Sequence, residues 1–372
     1  MENANGSGQL CAGIDYREKD PRVCYWNSQM KEPQELPLDF EEQAGHVACL
    51  RRILSALKRY GKKQNIRAAI VQPDLSEEGI RRTLREAYEA GFQEGQIQVM
   101  GEAESLVHFV MHQTNDIWQQ QVWILEFGTD EVKATRIQAN KRSTPMIVET
   151  NDPEYWYIGN LLEGNRDEKL LQHVEERFGK NSNRASAVFL TGTDLNTRDY
   201  KKSREAICFR RRVFLADLLY ARGACMLAQD SREQKPYLFL SGQTLLYNVG
   251  IRSSRSGKEE VYTIVRAGLS WYEVRESCEV ILCSEPLLEF VFQSMLGGEP
   301  IRAGMHLPDL PDRPGGTSRL LVEVCFPAPA QCEVKVTDLG FGELYPSSEL
   351  CWKESFVLEE QEEMSHGTGY GL

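Results

Sequence analysis

The ten cysteines of this 372-residue sequence include no Cys-x-x-Cys pair, so their spacing offers neither a metal nor a dithiol site. They sit mostly inside apolar strand or helix patterns with no secretory signal ahead of them, which reads as reduced core thiols in a cytoplasmic protein. No apolar run approaches the roughly 18–20 residues needed to cross a bilayer, so a soluble chain with no membrane partner is expected. Positive charge is in deficit, with 43 Lys and Arg against 55 Asp and Glu, a formal net charge of −12 and a pI near 5.2. Such a chain has no general attraction to phosphate backbones, and nucleic acid is excluded as a default partner. Among the histidines only His108 and His112 are spaced i, i+4, and the apolar positions around that pair argue against a zinc site.

What is present is enough apolar content, 41%, for two domains. Residues 1–9 form a small polar leader read as disordered. From residue 10 to 229 short apolar strands alternate with amphipathic helices, the pattern of a sheet covered by helices. Helical spacing predicts a helix between Glu41 and Tyr60, another from Ser76 to Gly91, and a third opening at Gly101. From 236 to 358 short strands separated by Gly and Pro turns predict an antiparallel β-domain. The acidic, then Gly-rich, tail 359–372 is read as disordered.

Two hairpins carry the candidate chemistry. Leu10 to Asp15 is a buried strand ending in a carboxylate, with Val23 to Trp26 returning. Val122 to Leu125 ends in Glu126-Phe127-Gly128-Thr129-Asp130, with Val132 to Ile137 returning. Two hairpins with an acid at the end of each first strand suggest an internally duplicated architecture whose turns face one cleft. A third apolar strand, Ala187 to Leu190, runs into the small-residue turn Thr191-Gly192-Thr193-Asp194, where a ligand can approach the backbone.

The order of these parts resembles the actin-like ATPase superfamily, in particular the nucleotide-binding domain of the seventy-kilodalton heat-shock chaperones. Gly13-Ile14-Asp15 is similar to that family's first phosphate strand, and Ala69-Ile70-Val71-Gln72-Pro73 to a later strand end. Gly101-Glu102-Ala103-Glu104-Ser105 is similar to the start of its first connecting helix, and Glu126 to Asp130 to the second phosphate hairpin. Leu190 to Thr193 resembles the adenosine loop, and Tyr220-Ala221-Arg222-Gly223-Ala224 the second connecting helix. The wording from Arg211 to Cys225, with Asp338 to Glu343, looks closest to an uncharacterised bacterial branch. Leu310 to Gly315, leading into Leu321 to Val324, resembles the chaperones' peptide-binding β-sandwich, in which Trp271, Tyr272, Trp352 and Phe356 are candidates for groove or core. The resemblance implies an α/β actin-like (ribonuclease H-like) duplicated nucleotide-binding domain plus a C-terminal antiparallel β-sandwich.

The resemblance also implies ATP or ADP with magnesium. It places Asp15 and Glu126 toward the metal, Gly13, Asp15, Arg17, Lys19, Gly128, Thr129, Thr191, Gly192 and Thr193 around the nucleotide, and Glu104 and Glu126 in catalysis. The departures bear on mechanism. The first turn, Tyr16-Arg17-Glu18-Lys19-Asp20, has no glycine to let backbone amides wrap a phosphate, and Glu126 stands where an aspartate is usual. Phosphoryl transfer depends on positioned electrostatics, so loss of that cradle threatens rate first. The expectation is a degenerate nucleotide-binding protein, more a pseudo-ATPase than an enzyme, that couples its cleft to a protein or peptide partner held by the β-domain. A slow magnesium-dependent ATPase and a nucleotide-free scaffold are the alternatives.

Overall fold

The computed structural model describes residues 8–41, 44–143, 145–159, 164–178, 185–192, 195, 199–230, 237–255, 257–283 and 285–358. The chain divides into two compact units, Met1–Leu240 and Ser241–Leu372.

The first unit opens with β1 (Leu10–Asp15), β2 (Arg22–Asn27) and the short β3 (Gln34–Glu35), followed by α1 (His46–Leu57), β4 (Ile66–Val71), α2 (Glu77–Ala90), β5 (Ile97–Met100) and α3 (Glu102–Met111). The chain then starts again. It runs through β6 (Gln121–Phe127), β7 (Glu131–Asn140), β8 (Met146–Thr150), β9 (Glu154–Tyr157), α4 (Arg166–Phe178), β10 (Ala185–Thr191), α5 (Lys201–Cys208), β11 (Arg212–Leu215), α6 (Leu219–Gln229) and β12 (Tyr237–Phe239). The first sheet has the order β3-β2-β1-β4-β5, and the second β11-β10-β6-β7-β8-β12 with β9 paired to β7. In each half an antiparallel meander comes first, and two parallel strands then add to the free side of its opening strand, β4 beside β1 and β10 beside β6. This repeated order is the internal duplication expected from the two hairpins.

Local chemistry explains the element ends. Ser76 caps α2 by accepting from the Gly79 N–H at 3.1 Å, and Gly91 stops it at φ 108°, a backbone state that glycine adopts without steric cost. β1 is buried along its whole length between β2 and β4, so it reads as a continuous apolar run rather than an alternation. α3 and α6 cross where Gly223 meets Ser105: a Cβ on Gly223 would lie 2.0 Å from the Ser105 carbonyl oxygen, and Ser105 Oγ donates to the Tyr220 carbonyl at 2.7 Å. α6 also lies against β1, where a Cβ on Gly13 would meet the Ala221 carbonyl oxygen at 1.9 Å. One core joins these pieces through Val107, Val110, Val122, Ile124, Ala221 and Cys225. A second core covers the other face of the second sheet with Trp123, Phe127, Trp156, Leu170 and Phe178.

The second unit contains β13 (Tyr247–Arg255), β14 (Lys258–Val265), β15 (Arg275–Leu282), β16 (Leu287–Ser294), β17 (Ile301–His306), β18 (Ser318–Ala328), β19 (Gln331–Asp338) and β20 (Cys351–Val357). They form two four-stranded antiparallel sheets, β14-β13-β16-β17 and β15-β18-β19-β20. The Phe356 ring of the second sheet lies 5.8 and 5.4 Å from Phe290 and Phe292 of the first, so the sheets meet through aromatic side chains. Trp271 is buried and Trp352 donates its indole N–H to the Pro308 carbonyl, which places Trp271 and Phe356 in packing.

Several expectations change. Tyr237 begins a strand of the first unit, parallel to β8, rather than of the second. Its short apolar sequence suits either partner, and only pairing decides. β9 and β11 are strands that the sequence analysis does not single out. All ten cysteines are free; Cys11, Cys24, Cys49, Cys225 and Cys332 are buried, whereas Cys208, Cys283 and Cys351 are exposed. Among the described residues no helix is long and apolar enough to cross a membrane. The leader up to Ser7, the tail from 359 and most of the linker expected between 229 and 236 lie outside the described residues.

Candidate functional site

The ends of β1, β6 and β10 and the start of α6 open onto one cleft of about 380 Å³. β1 ends in Asp15 and β6 carries Glu126 one residue before its end. Asp15, Arg17, Glu126, Gly128, Thr191 and Gly192 all line this cleft, so the three turns singled out in the sequence converge.

Arg17 fills the middle. Its Nε lies 2.9 Å from Asp15 Oδ1 and its Nη2 3.0 Å from Asp15 Oδ2, a bidentate pair. Its Nη1 is 3.4 Å from Glu102 Oε1 and 3.6 Å from Glu126 Oε1. Below it, the guanidinium carbon lies 3.3 Å from the centre of the Tyr220 ring, whose hydroxyl donates to Glu126 Oε2 at 2.7 Å. Lys133, directly across the ladder from Glu126, holds the other oxygen of Glu102. Burial works against charge on Glu102, yet Lys133 and Arg17 together hold its carboxyl below the usual range. Burial and the neighbouring Glu126 carboxylate push the Tyr220 phenol far above its ordinary value, so it remains a donor.

Not all of the other sequence-derived residues reach the cleft. Glu104 does not line the cleft; Glu102, two positions earlier, is the α3 acid that meets Arg17 and Lys133. An α-helix turns about 100° per residue, so two residues in one first turn face nearly opposite ways. Gly13 provides close approach to α6 rather than to a ligand. Lys19 is exposed and Thr129 is exposed, its carbonyl accepting from Arg166 at 2.8 Å, and neither lines the cleft. Gly192, at φ +119°, sits where a Cβ would lie 2.2 Å from the Phe127 carbonyl oxygen, so it lets the third turn close on the second. Thr193 lies outside the described residues. Sequence reasoning missed Glu102, Lys133 and the Tyr220 hydroxyl; the cross-strand register of Glu126 and Lys133 was the readable signal for one of them.

The residues present do not fit a magnesium nucleotide as they stand. A metal between Asp15 and Glu126 requires free carboxylate oxygens, and Arg17 already occupies both of Asp15's. The lining carries Asp15, Glu18, Asp20, Glu126, Glu131 and Asp217 against Arg17, Arg22 and Lys133, an acidic surround for a triphosphate. The backbone offers one unusual feature, Leu218 at φ 57° ahead of α6, with its N–H on Asp217 Oδ1 at 3.0 Å.

Residues 46–242, more than half of the chain, match the C-terminal model of a family of unknown function (DUF5716). The chain belongs to that family. Residues 244–358, in the second unit, match a domain of unknown function (DUF8552). No curated protein matches the sequence. Solved structures similar to this member include a Bacteroides thetaiotaomicron protein with actin-like ATPase fold and unknown function, at 12% identity and TM-score 0.36, covering 62% of this chain and all of that one. The ethanolamine utilization protein EutJ of Carboxydothermus hydrogenoformans is 11% identical at TM-score 0.38, covering 59% and 89%. An activator of 2-hydroxyisocaproyl-CoA dehydratase from Clostridium difficile, with bound ADPNP, is 8% identical at TM-score 0.33, covering 59% and 94%.

Proposed function

We propose that this protein is a pseudo-ATPase: an actin-like cleft in which a fixed arginine stands in for the metal, attached to a β-domain that engages a protein or peptide partner. The observation that carries this reading is the Arg17 guanidinium, shared among Asp15, Glu102 and Glu126 and stacked on Tyr220. A guanidinium keeps its charge throughout the physiological range, so the carboxylates are partly compensated without a bound cation. The cleft is thereby held together without ligand, and the acidic lining disfavours an incoming triphosphate. Partner binding is assigned to the second unit because β14 lies at a sheet edge and exposes Val261 and Tyr262, an arrangement suited to adding an extended strand.

Two measurements on the full chain test the reading. ATP with magnesium should leave the thermal midpoint unchanged, since only a ligand selective for the folded state raises it, and turnover should not exceed background. Robust hydrolysis that is abolished by Glu126→Ala would overturn the pseudo-ATPase assignment. Separately, extended peptides retained by the wild-type chain should be released by Tyr262→Glu; retention unchanged by that substitution removes β14 as the binding edge.

A further inference from the structure

At a point of the first unit away from the cleft lining, three elements meet through polar side chains. His108 and His112 stand one turn apart on α3, and Asp230 follows immediately after α6. His112 Nε2 lies 3.0 Å from Asp230 Oδ1 and His108 Nδ1 lies 3.2 Å from Asp230 Oδ2. The Tyr237 hydroxyl of β12 is 2.8 Å from the same His108 Nδ1. This is the one group of three or more His, Cys, Asp or Glu side chains among the described residues whose ligand atoms all lie within 4.8 Å of one another.

The proton positions at His112 are decided by its other nitrogen. His112 Nδ1 lies 2.8 Å from the His108 backbone carbonyl, which can only accept, so Nδ1 carries a hydrogen. In the neutral ring Nε2 then presents a lone pair to a carboxylate oxygen at 3.0 Å. Two lone pairs at that distance need a cation between or beside them, either a second proton or a metal. A carbonyl fixing the tautomer from behind is the usual arrangement around a metal-bound imidazole. Tetrahedral zinc with bonds of about 2.0–2.1 Å holds its ligands about 3.3 Å apart, close to the two separations found here.

We propose that His108, His112 and Asp230 form a binding site for a divalent transition metal of the zinc class, with an open fourth position beside the Tyr237 hydroxyl. Two imidazoles and a carboxylate suit Zn²⁺, Ni²⁺ or Co²⁺ better than magnesium or calcium, which take oxygen donors. The His108 side chain is buried while those of His112 and Asp230 keep 24% and 17% of their exposure, which gives an ion an entry path. The sequence concealed the site because its third ligand is 118 residues from His112 and the helix around the pair is apolar. A metal there joins the end of α6 to α3 next to β12, the end strand of the second sheet.

The test uses the full chain, free of any affinity tag and stripped with chelator. Zn²⁺ titrated against a chromophoric competitor should bind at one equivalent, and Co²⁺ should give the visible absorption of a tetrahedral site. His112→Gln and Asp230→Asn should each weaken Zn²⁺ by at least about 10–100-fold, while His46→Ala, which removes a histidine outside the group, should not. Circular dichroism establishes that each variant is folded, and the Co²⁺ spectrum of the wild type decides the matter if a variant is not. Less than one-tenth of an equivalent of Zn²⁺, binding that survives both ligand substitutions, or a wild-type Co²⁺ spectrum of octahedral form overturns the proposal and leaves a protonated His112–Asp230 pair.

Discussion

The guanidinium carbon of Arg17 rests 3.3 Å above the centre of the Tyr220 ring, and the hydroxyl of that ring reaches Glu126 at 2.7 Å. Arg17 belongs to the first half of the duplication and Tyr220 to the second, so a cation, an aromatic face and a carboxylate run in series across the cleft. A desolvated cation–π contact of this kind contributes about 2 kcal/mol.

Removing the cation should expose what it compensates. Arg17→Gly leaves Asp15, Glu102 and Glu126 facing one another, and breaking a partly buried pair in this way costs about 3 kcal/mol. The thermal midpoint in chelator should fall by several degrees and be partly restored by millimolar Mg²⁺ or Ca²⁺. The wild-type midpoint should respond to neither ion, and scanning fluorimetry on both proteins reads the difference.

Tyr220 has two separable roles. Tyr220→Phe keeps the ring under Arg17 but strands Glu126 Oε2, at a cost of about 1–2 kcal/mol. Tyr220→Leu loses the ring as well and should cost more. Equal urea midpoints for the two variants would show that the ring contributes nothing.

Close approach of α6 to its neighbours allows no side chain at two positions. Gly13→Ala and Gly223→Ala place a Cβ 1.9 and 2.0 Å from backbone oxygens of Ala221 and Ser105. Backbone cannot yield as a flexible side chain does, so each should destabilise the first unit by about 3 kcal/mol or more. Gly257→Ala should cost less, from its φ of +77° alone, because no atom lies within 4 Å of the added carbon. Denaturant midpoints compare the three.

In the second unit Arg313 grips the buried Asp338 with both Nη atoms at 2.9 and 2.8 Å, while Ser348 and Gly340 donate to the same carboxylate. Burial works against the charge, but these partners hold the Asp338 carboxyl far below the usual range. A depressed folded-state value means that its stabilisation is fully present above the unfolded pKa of about 3.9 and is lost as pH falls below it. Asp338→Asn should cost about 3–5 kcal/mol near neutrality, and the gap from wild type should narrow in acid below about pH 4. A gap that stays constant down to pH 2 would contradict this account.

The repeated order of strands and helices was readable because the central strands are compact apolar runs and helices such as α2 show a 3.6-residue period, with a serine cap and a closing glycine there. The two strand-end acids, Asp15 and Glu126, were readable for the same reason. What the sequence did not reveal lay in long-range pairing. By the resemblance Arg17 is a positive charge for a phosphate, and only its contacts with Glu126 and Tyr220 across the cleft show that it is already bound. Glu104 seemed the acid of α3, but rotation about the helix gives that place to Glu102. Asp230 carried no motif at all, since nothing near it in sequence has its chemistry.

The position of β12 also has a consequence for how the protein is made. Strand β8 waits beside β7 with one edge open until Tyr237 to Phe239 arrive in parallel register, some ninety residues later in the chain. During synthesis, at about 5–20 residues per second, the ribosome must therefore release the whole of the first unit before its second sheet has all its strands. An incomplete chain ending at Gln229 would contain every strand of both repeats and still present an unfinished edge, and with it a place for another nascent chain to pair.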